Sequence, residues 1–556
     1  MTNCLQLKKS NCKNCYKCIR NCPVKSIKFA DNQANIVTDE CILCGMCFVS
    51  CPQNAKHIRN DIAKVKEVIA SSRPVYASVA PSFVANYNGI SMNSLRKALK
   101  KLGFAGAEET AIGAAVVNKQ YEKIISERKN NVIISSCCHS VNLLIQKHRP
   151  EALPYLAKVM SPMQVSCMIL KDQYPECFTV FIGPCIAKKD EAEMYQGITD
   201  CVLTFEELDE WMNEENIEFE ESSDVDEKGR TRLFPTAGGI IRSMDLDPEF
   251  NYITIDGIEN CLKAIDDICS GSLSNCFIEM SACSGSCIGG PVMSRKHHNP
   301  VKDFVMVNKF SGNYDFSKGL VNFNIKKKFE YVGKGQTLPG SSAITRILHK
   351  MGKHSKAQEL NCGSCGYNTC RDKAIAVLMG KADLTMCLPY LKEKAESFSD
   401  KIINNSPNGI IVMNEKLELL QVNAASLKIL NMPNMSSVLG KPVDMFLDPE
   451  DYWLVLSNER NIYRKRKYLD RYKKYIEETI IYDRIYHIIM SIMEDITEKE
   501  TNKILREKKI EQAVTITDRV VEKQMRLVQE IASLLGETTA ETKIALTRLK
   551  ETLVDE

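Results

Sequence analysis

The sequence predicts a multidomain protein of mixed α+β and α/β class. The chain has 556 residues, which at roughly 150 residues per domain corresponds to about three to five domains. From about residue 73, short apolar runs alternate with helical stretches, a pattern typical of α/β organisation. After residue 400, two alternating runs around a turn are followed by a helix, and the tail beyond Pro449 has no proline. This predicts a smaller α+β domain followed by a long helix.

The composition excludes several classes of function. Basic and acidic side chains nearly balance, 73 against 70, for a formal net charge of +3, so the charge gives no sign of a nucleic-acid partner. The chain starts without an apolar signal region, and no stretch approaches the about 18 apolar residues that span a bilayer. We therefore expect a cytoplasmic protein with no membrane partner. The 24 cysteines are informative, because clustered thiols in a reducing cytosol usually hold metal.

Two cysteine runs lie in the first predicted domain, residues 1–60. Residues 12–23 and 41–52 each read C-x2-C-x2-C-x3-C-P. Thiolates at this spacing wrap an iron–sulfur cube, and the fourth cysteine of each run ligates the other cube. The two predicted 4Fe-4S ligand sets are Cys12, Cys15, Cys18 and Cys51, and Cys41, Cys44, Cys47 and Cys22. Zinc is the alternative, although its sites use paired C-x2-C units at longer intervals. The segment resembles a bacterial-type two-cluster ferredoxin domain, which would form an electron relay.

Three further cysteine motifs mark the central domain, predicted at residues 70–335. They are SSCCH at 135–139, GPCIAKKDE at 183–191 and EMSACSGSC at 279–287. Each follows an apolar run, so strands would deliver thiols to the loops at their carboxyl ends, where α/β sheets bind ligands. In order and context these motifs resemble the signature motifs of iron-only (FeFe) hydrogenases. SPMQ at 161–164 and TAGGII at 236–241 look like further segments of that family.

The resemblance implies a hydrogen cluster, a 4Fe-4S cube joined to a diiron subsite that carries CO, cyanide and azadithiolate ligands. The implied cube ligands are Cys138, Cys185, Cys283 and Cys287. Cys287 matches the cysteine that bridges to the diiron subsite. Lys188 matches the lysine that donates to a cyanide, a strong interaction in a dry pocket, and Glu191 matches the acid that orients this lysine. Cys137 matches the thiol that shuttles protons.

The sequence departs from the family in its proton route. Ala114, Val117 and Ala157 align with the two glutamates and the serine that link the thiol to solvent in fast enzymes. Alanine and valine side chains neither donate nor accept protons, so this relay is predicted to be absent. The motifs also differ from the family at Gly183, His139 and Ser281. The alternative is divergent packing around an unchanged enzyme whose protons travel through water.

A third cysteine cluster lies in a module predicted at residues 355–392. It reads C-x2-C-x4-C-x16-C, with the last cysteine beyond a predicted helix. This resembles a small helical 4Fe-4S module of electron-transfer and corrinoid proteins. The predicted ligands are Cys362, Cys365, Cys370 and Cys387. Zinc is again the alternative.

The C-terminal part is predicted to be regulatory. Residues 400–498 resemble a PAS domain, both at their start and at the D-I-T-E junction of residues 495–498. In residues 499–556, positions spaced alternately by four and three predict an a/d stripe. The stripe consists of Ile510, Val514, Thr517, Val521, Gln524, Val528, Ile531 and Leu535. We favour a parallel homodimeric coiled coil, and the alternative is an amphipathic helix packed on its own chain.

Together these features predict an FeFe hydrogenase of the sensory type. H2 would be split reversibly at the hydrogen cluster, electrons would pass through the 4Fe-4S clusters, and the PAS–coil element would transmit the result. The implied partners are H2 and protons, a ferredoxin-like electron partner, diiron maturation proteins and a separate kinase or phosphatase. One alternative is a catalytic, ferredoxin-linked hydrogenase with an accessory PAS tail. Another is a non-catalytic protein of iron–sulfur cluster assembly.

Overall fold

The computed structural model describes residues 4–8, 11–220, 227–296, 299–316, 324–335, 338–432, 434–535 and 540–554. The chain divides into two compact units, Met1–Tyr390 and Leu391–Glu556. Both units combine helices with strands, which agrees with the mixed class predicted from the sequence. In the described part of the chain, no helix is both long enough and apolar enough to cross a membrane.

Two related cysteine loops and two small sheets form the start of the first unit. The elements are β1 Leu5–Leu7, α1 Lys17–Arg20, β2 Ile27–Ala30, β3 Gln33–Ile36, α2 Met46–Val49 and β4 Lys56–Ile58. β1 pairs with β4 and β2 with β3, both antiparallel. Tyr16 and Gly45 precede α1 and α2 at equivalent positions of the two cysteine runs, and both have positive φ, 56° and 76°. A Cβ at Gly45 would lie 2.5 Å from the Cβ of Pro291, so this position needs glycine.

The central domain contains two parallel sheets with helices around them. Its strands are β5 Val75–Val79, β6 Gly106–Glu109, β7 Val132–Ile134, β8 Phe178–Gly183, β9 Cys201–Thr204, β10 Asn251–Asp256 and β11 Cys276–Ser281. Its helices are α3 Ile62–Ala70, α4 Phe83–Asn86, α5 Met92–Lys101, α6 Thr110–Ser126, α7 His139–His148, α8 Pro162–Gln173, α9 Ala187–Met194, α10 Phe205–Glu214, α11 Gly239–Arg242, α12 Ile258–Cys269, α13 Pro291–Lys296 and α14 Pro300–Phe310. The strand orders are β6-β5-β8-β9 and β10-β11-β7.

The three strands predicted to precede the cysteine motifs are β7, β8 and β11. They belong to two different sheets, because β8 lies in the first sheet while β7 and β11 are neighbours in the second. All six residues of β8 and of β11 are buried, as expected for parallel strands covered on both faces. Ser161 and Gln164 form a reciprocal capping box at the start of α8, which fixes where that helix begins beside the site.

The third cysteine cluster is carried by a small helical module. Its helices are α15 Ser341–Lys350, α16 Cys370–Leu378 and the first turn of α17 Leu388–Asn405. The module packs on the N-terminal cysteine loops. The Lys25 Nζ atom donates to the Gly366 carbonyl at 3.1 Å, and the Phe29 amide donates to the Lys381 carbonyl at 2.8 Å. The Lys381 Nζ atom in turn lies 2.6 Å from a Glu40 carboxylate oxygen.

The second unit contains one antiparallel sheet. Its elements are β12 Gly409–Asn414, β13 Leu419–Val422, α18 Ala424–Ile429, α19 Glu450–Asn458, β14 Ile462–Leu469, β15 Lys474–Asp483 and β16 Ile488–Asp495. The strand order is β13-β12-β16-β15-β14. The two alternating runs and the helix predicted after residue 400 are therefore present as β12, β13 and α18. At the predicted D-I-T-E junction, the Thr497 hydroxyl donates to an Asp495 carboxylate oxygen at 2.6 Å and also accepts the Tyr475 amide at 3.0 Å.

The tail forms two helices instead of one. α20 spans Thr497–Leu535 and α21 spans Ala540–Val554; Gly536, between them, lies outside the described residues. The two helices pack on each other, with the Lys550 Nζ atom 2.6 Å from an Asp518 carboxylate oxygen. Lys550 and Leu553 also line a cavity with Ile510 and Val514 of the predicted stripe. Part of that stripe is thus covered by its own chain, as in the intrachain alternative.

Candidate metal centres

The eight N-terminal cysteines lie in two groups, each with three cysteines from one run and one from the other. Burial, together with the negative charges of Cys12, Cys15 and Cys51, raises the pKa of Cys18 to about 11. Cys51, from the second run, therefore lies with the first group. In the other group, burial holds the pKa of Cys47 well above its usual range, and the negative charges of Cys41, Cys44 and Cys22 act in the same direction. Of these eight residues only Cys15 is exposed.

Backbone amides point at sulfur atoms in both groups. The Leu43 amide donates to the Cys41 sulfur at 3.4 Å, and the Ala55 amide to the Cys51 sulfur at 3.3 Å. Ser26 donates from its amide to the Cys22 sulfur, also at 3.3 Å. Amide donors of this kind stabilise thiolates and tune the potential of iron–sulfur clusters. The residues present therefore fit 4Fe-4S cubes.

The four cysteines of the central motifs converge where both parallel sheets end. Burial, together with the charges of Cys185 and Cys138, raises the pKa of Cys287 to about 12. Cys283 experiences the charges of all three and also that of Cys44. The central group therefore lies next to the N-terminal group that contains Cys44.

Lys188 and Glu191 lie beside these cysteines on one face of α9. The Lys188 Nζ atom donates to the Glu191 Oε2 atom at 2.5 Å and to the Cys137 carbonyl at 3.1 Å. Burial is the largest single influence on both groups and disfavours their charged forms, but the opposite charges around them together outweigh it. The pKa of Lys188 is therefore raised, chiefly by Glu191 and Cys185, and that of Glu191 is lowered, chiefly by Lys188 and Lys327. Both groups are ionised, which places a buried ammonium with an unfilled third donor near Cys287.

Sequence reasoning missed a second buried ammonium. The Lys327 Nζ atom donates to the Glu191 Oε1 atom at 2.6 Å and to the Gln164 side-chain oxygen at 2.8 Å. The residue is only 4% exposed. It lies in the run KKK at 326–328, which looks in the sequence like a solvated basic segment. Its neighbours Lys326 and Lys328 are in fact exposed, and only Lys327 is buried.

Apolar residues occupy the positions of the predicted missing relay. Ala114, Val117 and Ala157 are buried. One turn beyond Val117, on the same face of α6, the Tyr121 hydroxyl lies 3.2 Å from the Cys137 sulfur. Burial raises the pKa of Tyr121 well above its usual value and that of Cys137 to about 12. Tyr121 was also missed by sequence reasoning, although its i+4 spacing from Val117 could have shown it.

Glu279 is the one buried carboxyl near Cys137 with a pKa near neutrality among the described residues. Burial raises the pKa of Glu279 to about 7, although backbone amides of residues 238, 240 and 241 oppose the shift. The Ile241 amide donates to it at 3.1 Å, and its charge acts on Cys137. It stands in the quoted third motif, yet its spacing alone gave no reason to select it.

The other departures from the family motifs have local explanations. The His139 Nε2 atom is 2.9 Å from an Asp190 carboxylate oxygen, and burial lowers the pKa of this histidine. A Cβ at Gly183 would lie 2.8 Å from the Phe181 ring, so a larger residue would require this ring to move. The Ser281 hydroxyl donates to the Cys283 carbonyl at 3.5 Å.

The cysteines of the helical module line a single pocket. Cys362, Cys365, Cys370 and Cys387 all border it. Burial raises the pKa of Cys370, and the charge of Cys387 raises it further. Lys373 is buried beside the pocket, and burial lowers its pKa to about 8 although Cys365 and Cys387 favour its charge. Within the described ranges, no group of three or more metal-binding side chains is arranged to hold a single metal ion.

The sequence and geometry define an iron–sulfur protein with a hydrogenase-type domain. Residues 73–291 match the family of the iron only hydrogenase large subunit, C-terminal domain. Residues 4–68 match the family described as "4Fe-4S dicluster domain", and residues 358–389 match the family described as "Putative Fe-S cluster". These parts of the chain are thus similar to hydrogenases and to other iron–sulfur proteins, and the matches support 4Fe-4S clusters as cofactors.

The chain is similar to two kinds of curated protein, an iron hydrogenase and an Fe-S cluster assembly factor. Iron hydrogenase 1 of Clostridium pasteurianum is 25% identical over 357 residues, which cover 52% of this chain and 61% of that protein. The cytosolic Fe-S cluster assembly factor NAR1 of Kluyveromyces lactis is 25% identical over 211 residues, covering 34% of this chain and 44% of that protein. The chain therefore spans less than two thirds of the length of either relative.

Solved structures match parts of the chain. The FeFe-hydrogenase HydA1 from Chlamydomonas reinhardtii aligns with 50% of this chain and 100% of its own, at 16% identity and a TM-score of 0.40. A PAS domain of an HTR-like protein from Haloarcula marismortui aligns with 19% of this chain and 99% of its own, at 22% identity and a TM-score of 0.16. The PAS assignment of residues 400–498 stays a prediction.

Proposed function

We propose that this chain is an H2-sensing FeFe hydrogenase of low turnover. The observation that carries the proposal is the buried ammonium of Lys188, held 2.5 Å from Glu191 beside four converging thiols. A paired buried charge with a spare donor suits a site that receives an anionic ligand such as cyanide. When bound, the hydrogen cluster supplies the heterolytic splitting of H2, and the protein supplies position, charge and water exclusion.

The proposed ligands follow the four cysteine groups. Two cubes take the N-terminal groups, one cube takes the module group of Cys362, Cys365, Cys370 and Cys387, and the hydrogen cluster takes Cys138, Cys185, Cys283 and Cys287, with Cys287 towards the diiron subsite. The diiron subsite, with CO, cyanide and azadithiolate, would be supplied by maturation proteins. Iron binding must displace the protons of these thiols. Burial raises the pKa of Cys185 to about 11 because a buried thiolate without a metal is unfavourable, and bound iron would offset that cost.

Low turnover is proposed from the surroundings of Cys137. The Cys137 thiol forms a hydrogen bond with the Tyr121 hydroxyl. This phenol keeps its proton because burial raises the pKa of Tyr121. The family's acidic relay is replaced by Ala114, Val117 and Ala157. Proton delivery would therefore be slow, which suits detection of H2 more than its bulk conversion.

The C-terminal unit is proposed as the output. A PAS-type sheet joined directly to α20 would pass a change to a separate kinase or phosphatase, and the exposed part of the helical stripe would mediate homodimerisation. The proposal includes a ferredoxin-like electron partner and a cytoplasmic location, where thiols stay reduced. It includes neither nucleic acid nor membrane.

A second candidate is a role in iron–sulfur cluster assembly. The observation that favours it is the similarity to the NAR1 assembly factors, which are matched over 31–34% of this chain, together with the loss of the acidic relay. In that case Lys188 and Glu191 would serve structure only. A catalytic, ferredoxin-linked hydrogenase with an accessory tail is the remaining alternative.

Infrared spectroscopy of anaerobically matured protein, with and without H2, tests the proposal alongside an H2-oxidation assay on the same sample. CO and cyanide bands that shift under H2, with turnover far below that of fast hydrogenases, are expected. Shifting bands with rapid turnover would favour the catalytic enzyme. Absence of bands would refute the proposal and favour the assembly role.

A further inference from the structure

Glu191 binds two lysines through different oxygen atoms. Its Oε2 atom accepts from Lys188 at 2.5 Å and from the Ser161 hydroxyl at 3.1 Å. Its Oε1 atom accepts from Lys327 at 2.6 Å. Each oxygen therefore has its own cation, and the carboxylate is fixed in one orientation.

Lys327 itself is held in place by three elements. Besides Glu191, its Nζ atom donates to Gln164 of α8 at 2.8 Å and lies 4.0 Å from the ring centroid of Tyr195, a cation–π contact. Its backbone amide donates to the Lys158 carbonyl at 3.0 Å. A lysine with 4% exposure carries a desolvation cost, and such a residue persists where its charge is paired.

The geometry around Lys188 shows what Lys327 prevents. An ammonium has three donors, and Lys188 uses one for Glu191 and one for the Cys137 carbonyl at 3.1 Å. Without Lys327, the Glu191 Oε1 atom would be a buried acceptor with no cation. It would then turn towards Lys188 and take its remaining donor, since carboxylates bind cations with both oxygens where they can.

We propose that Lys327 is a positioning residue for the diiron end of the site. By occupying the Oε1 atom of Glu191, it keeps one Lys188 donor available for the cyanide ligand of the incoming diiron unit. This inference rests on the proposed function, because a cyanide ligand is the recipient of that donor. The role belongs to this chain's own residue outside the cysteine motifs.

The test uses the full-length chain with its 4Fe-4S clusters, produced without the diiron maturation proteins. It is mixed anaerobically with a synthetic diiron complex that carries CO, cyanide and azadithiolate ligands, and uptake is followed by the infrared bands of bound cyanide. Lys327→Met is compared with wild type, with Lys327→Arg as the conservative variant and with Lys326→Met as the matched control, since Lys326 is exposed. Iron and sulfide content verifies that the cubes are intact.

Lys327→Met should slow uptake about tenfold, the effect of weakening one hydrogen bond between charged groups by about 1.4 kcal/mol. It should also shift the cyanide bands while the CO bands move less. Lys327→Arg should restore both properties in large part, and Lys326→Met should match wild type. If Lys327→Met loses its cubes, Lys327→Gln, which keeps a donor without the charge, replaces it.

Two negative results are distinguishable. In the first, the wild type takes up the diiron complex, and the Lys327 variants show the same uptake rate and the same cyanide bands. This would overturn the positioning role and leave the proposed function standing. Absence of cyanide bands in the wild type would overturn the proposed function and this inference with it.

Discussion

Replacing Glu279 by glutamine should stabilise the central sheet at neutral and alkaline pH. Burial raises the pKa of Glu279 to about 7 from its ordinary value of 4.5. The folded protein therefore holds a proton on this group that the unfolded chain releases at lower pH. Because the folded state binds more protons between these two values, its stability falls as the pH rises through this window.

The size of the effect follows from the shift. A change from 4.5 to about 7 at about 1.4 kcal/mol per pH unit corresponds to about 3 kcal/mol of destabilisation above pH 8. At pH 5 the same group costs only about 1 kcal/mol. Glutamine has no charge to desolvate and keeps an oxygen for the Ile241 amide, so Glu279→Gln should remove the pH-dependent part.

Native-state hydrogen exchange of the β11 amides, residues 276–281, measures the local opening free energy at pH 5 and pH 8. Wild type should lose about 2 kcal/mol between these values relative to Glu279→Gln. Glu259→Gln is the control, because Glu259 is exposed and its replacement should leave the pH dependence unchanged. Equal pH dependence in wild type and Glu279→Gln would refute a raised pKa at this position.

Three further predictions concern the cysteine groups and their support. Cys51→Ala should lose the cube of the first run, about four irons, while the bands of bound CO and cyanide remain; iron analysis with EPR checks this, and loss of the cube of the second run instead would contradict the crossed grouping. Cys137→Ala should lower H2 turnover less than about tenfold, because Tyr121 retains its proton, whereas a working relay group contributes roughly 10²–10⁴-fold; a loss of several hundred-fold would show that Cys137 has an onward path. Gly45→Ala should lower thermal stability and cube content, because position 45 combines positive φ with a 2.5 Å approach to Pro291. Gly380→Ala is the control, since Gly380 has positive φ but open space around it, and this variant should retain its cubes. Full cube content in Gly45→Ala would show that Pro291 moves aside.

The sequence predicts the cysteine groups from their spacing, and their role as cluster ligands stays a prediction. A C-x2-C-x2-C loop is too short to place its thiols far apart, and the carboxyl ends of parallel strands are where ligand-binding loops lie. It also predicted the β12–β13–α18 order, where hydrophobic periodicity is strong.

The residues that sequence reasoning missed act through tertiary contacts. Lys327 looks like part of a solvated basic run, and only the fold shows that one lysine of three turns inward to Glu191. Tyr121 and Glu279 are ordinary members of a helix and a strand until α6 and β11 are placed beside Cys137. The division of the parallel strands into two sheets was missed for the same reason, since pairing partners are set by packing and not by local pattern.

The tail shows the limit of a one-dimensional pattern. α20 carries the predicted a/d stripe, but the pattern alone does not predict which helix packs against it. α21 lies only a few residues further along the chain, so its effective concentration at α20 is high and it covers part of the stripe first. Homodimerisation stays a prediction for the part of the stripe that α21 does not cover.

The bond from Lys25 to Gly366 joins residues 341 positions apart, which imposes an order on biosynthesis. At roughly 5–20 residues per second, a ribosome needs about 20–70 s to travel between them. During that interval the first cysteine loops emerge, and the Gly366 carbonyl that Lys25 will bind has not yet been translated. The N-terminal thiols are therefore open to iron for this whole interval, before the helical module packs against their loops.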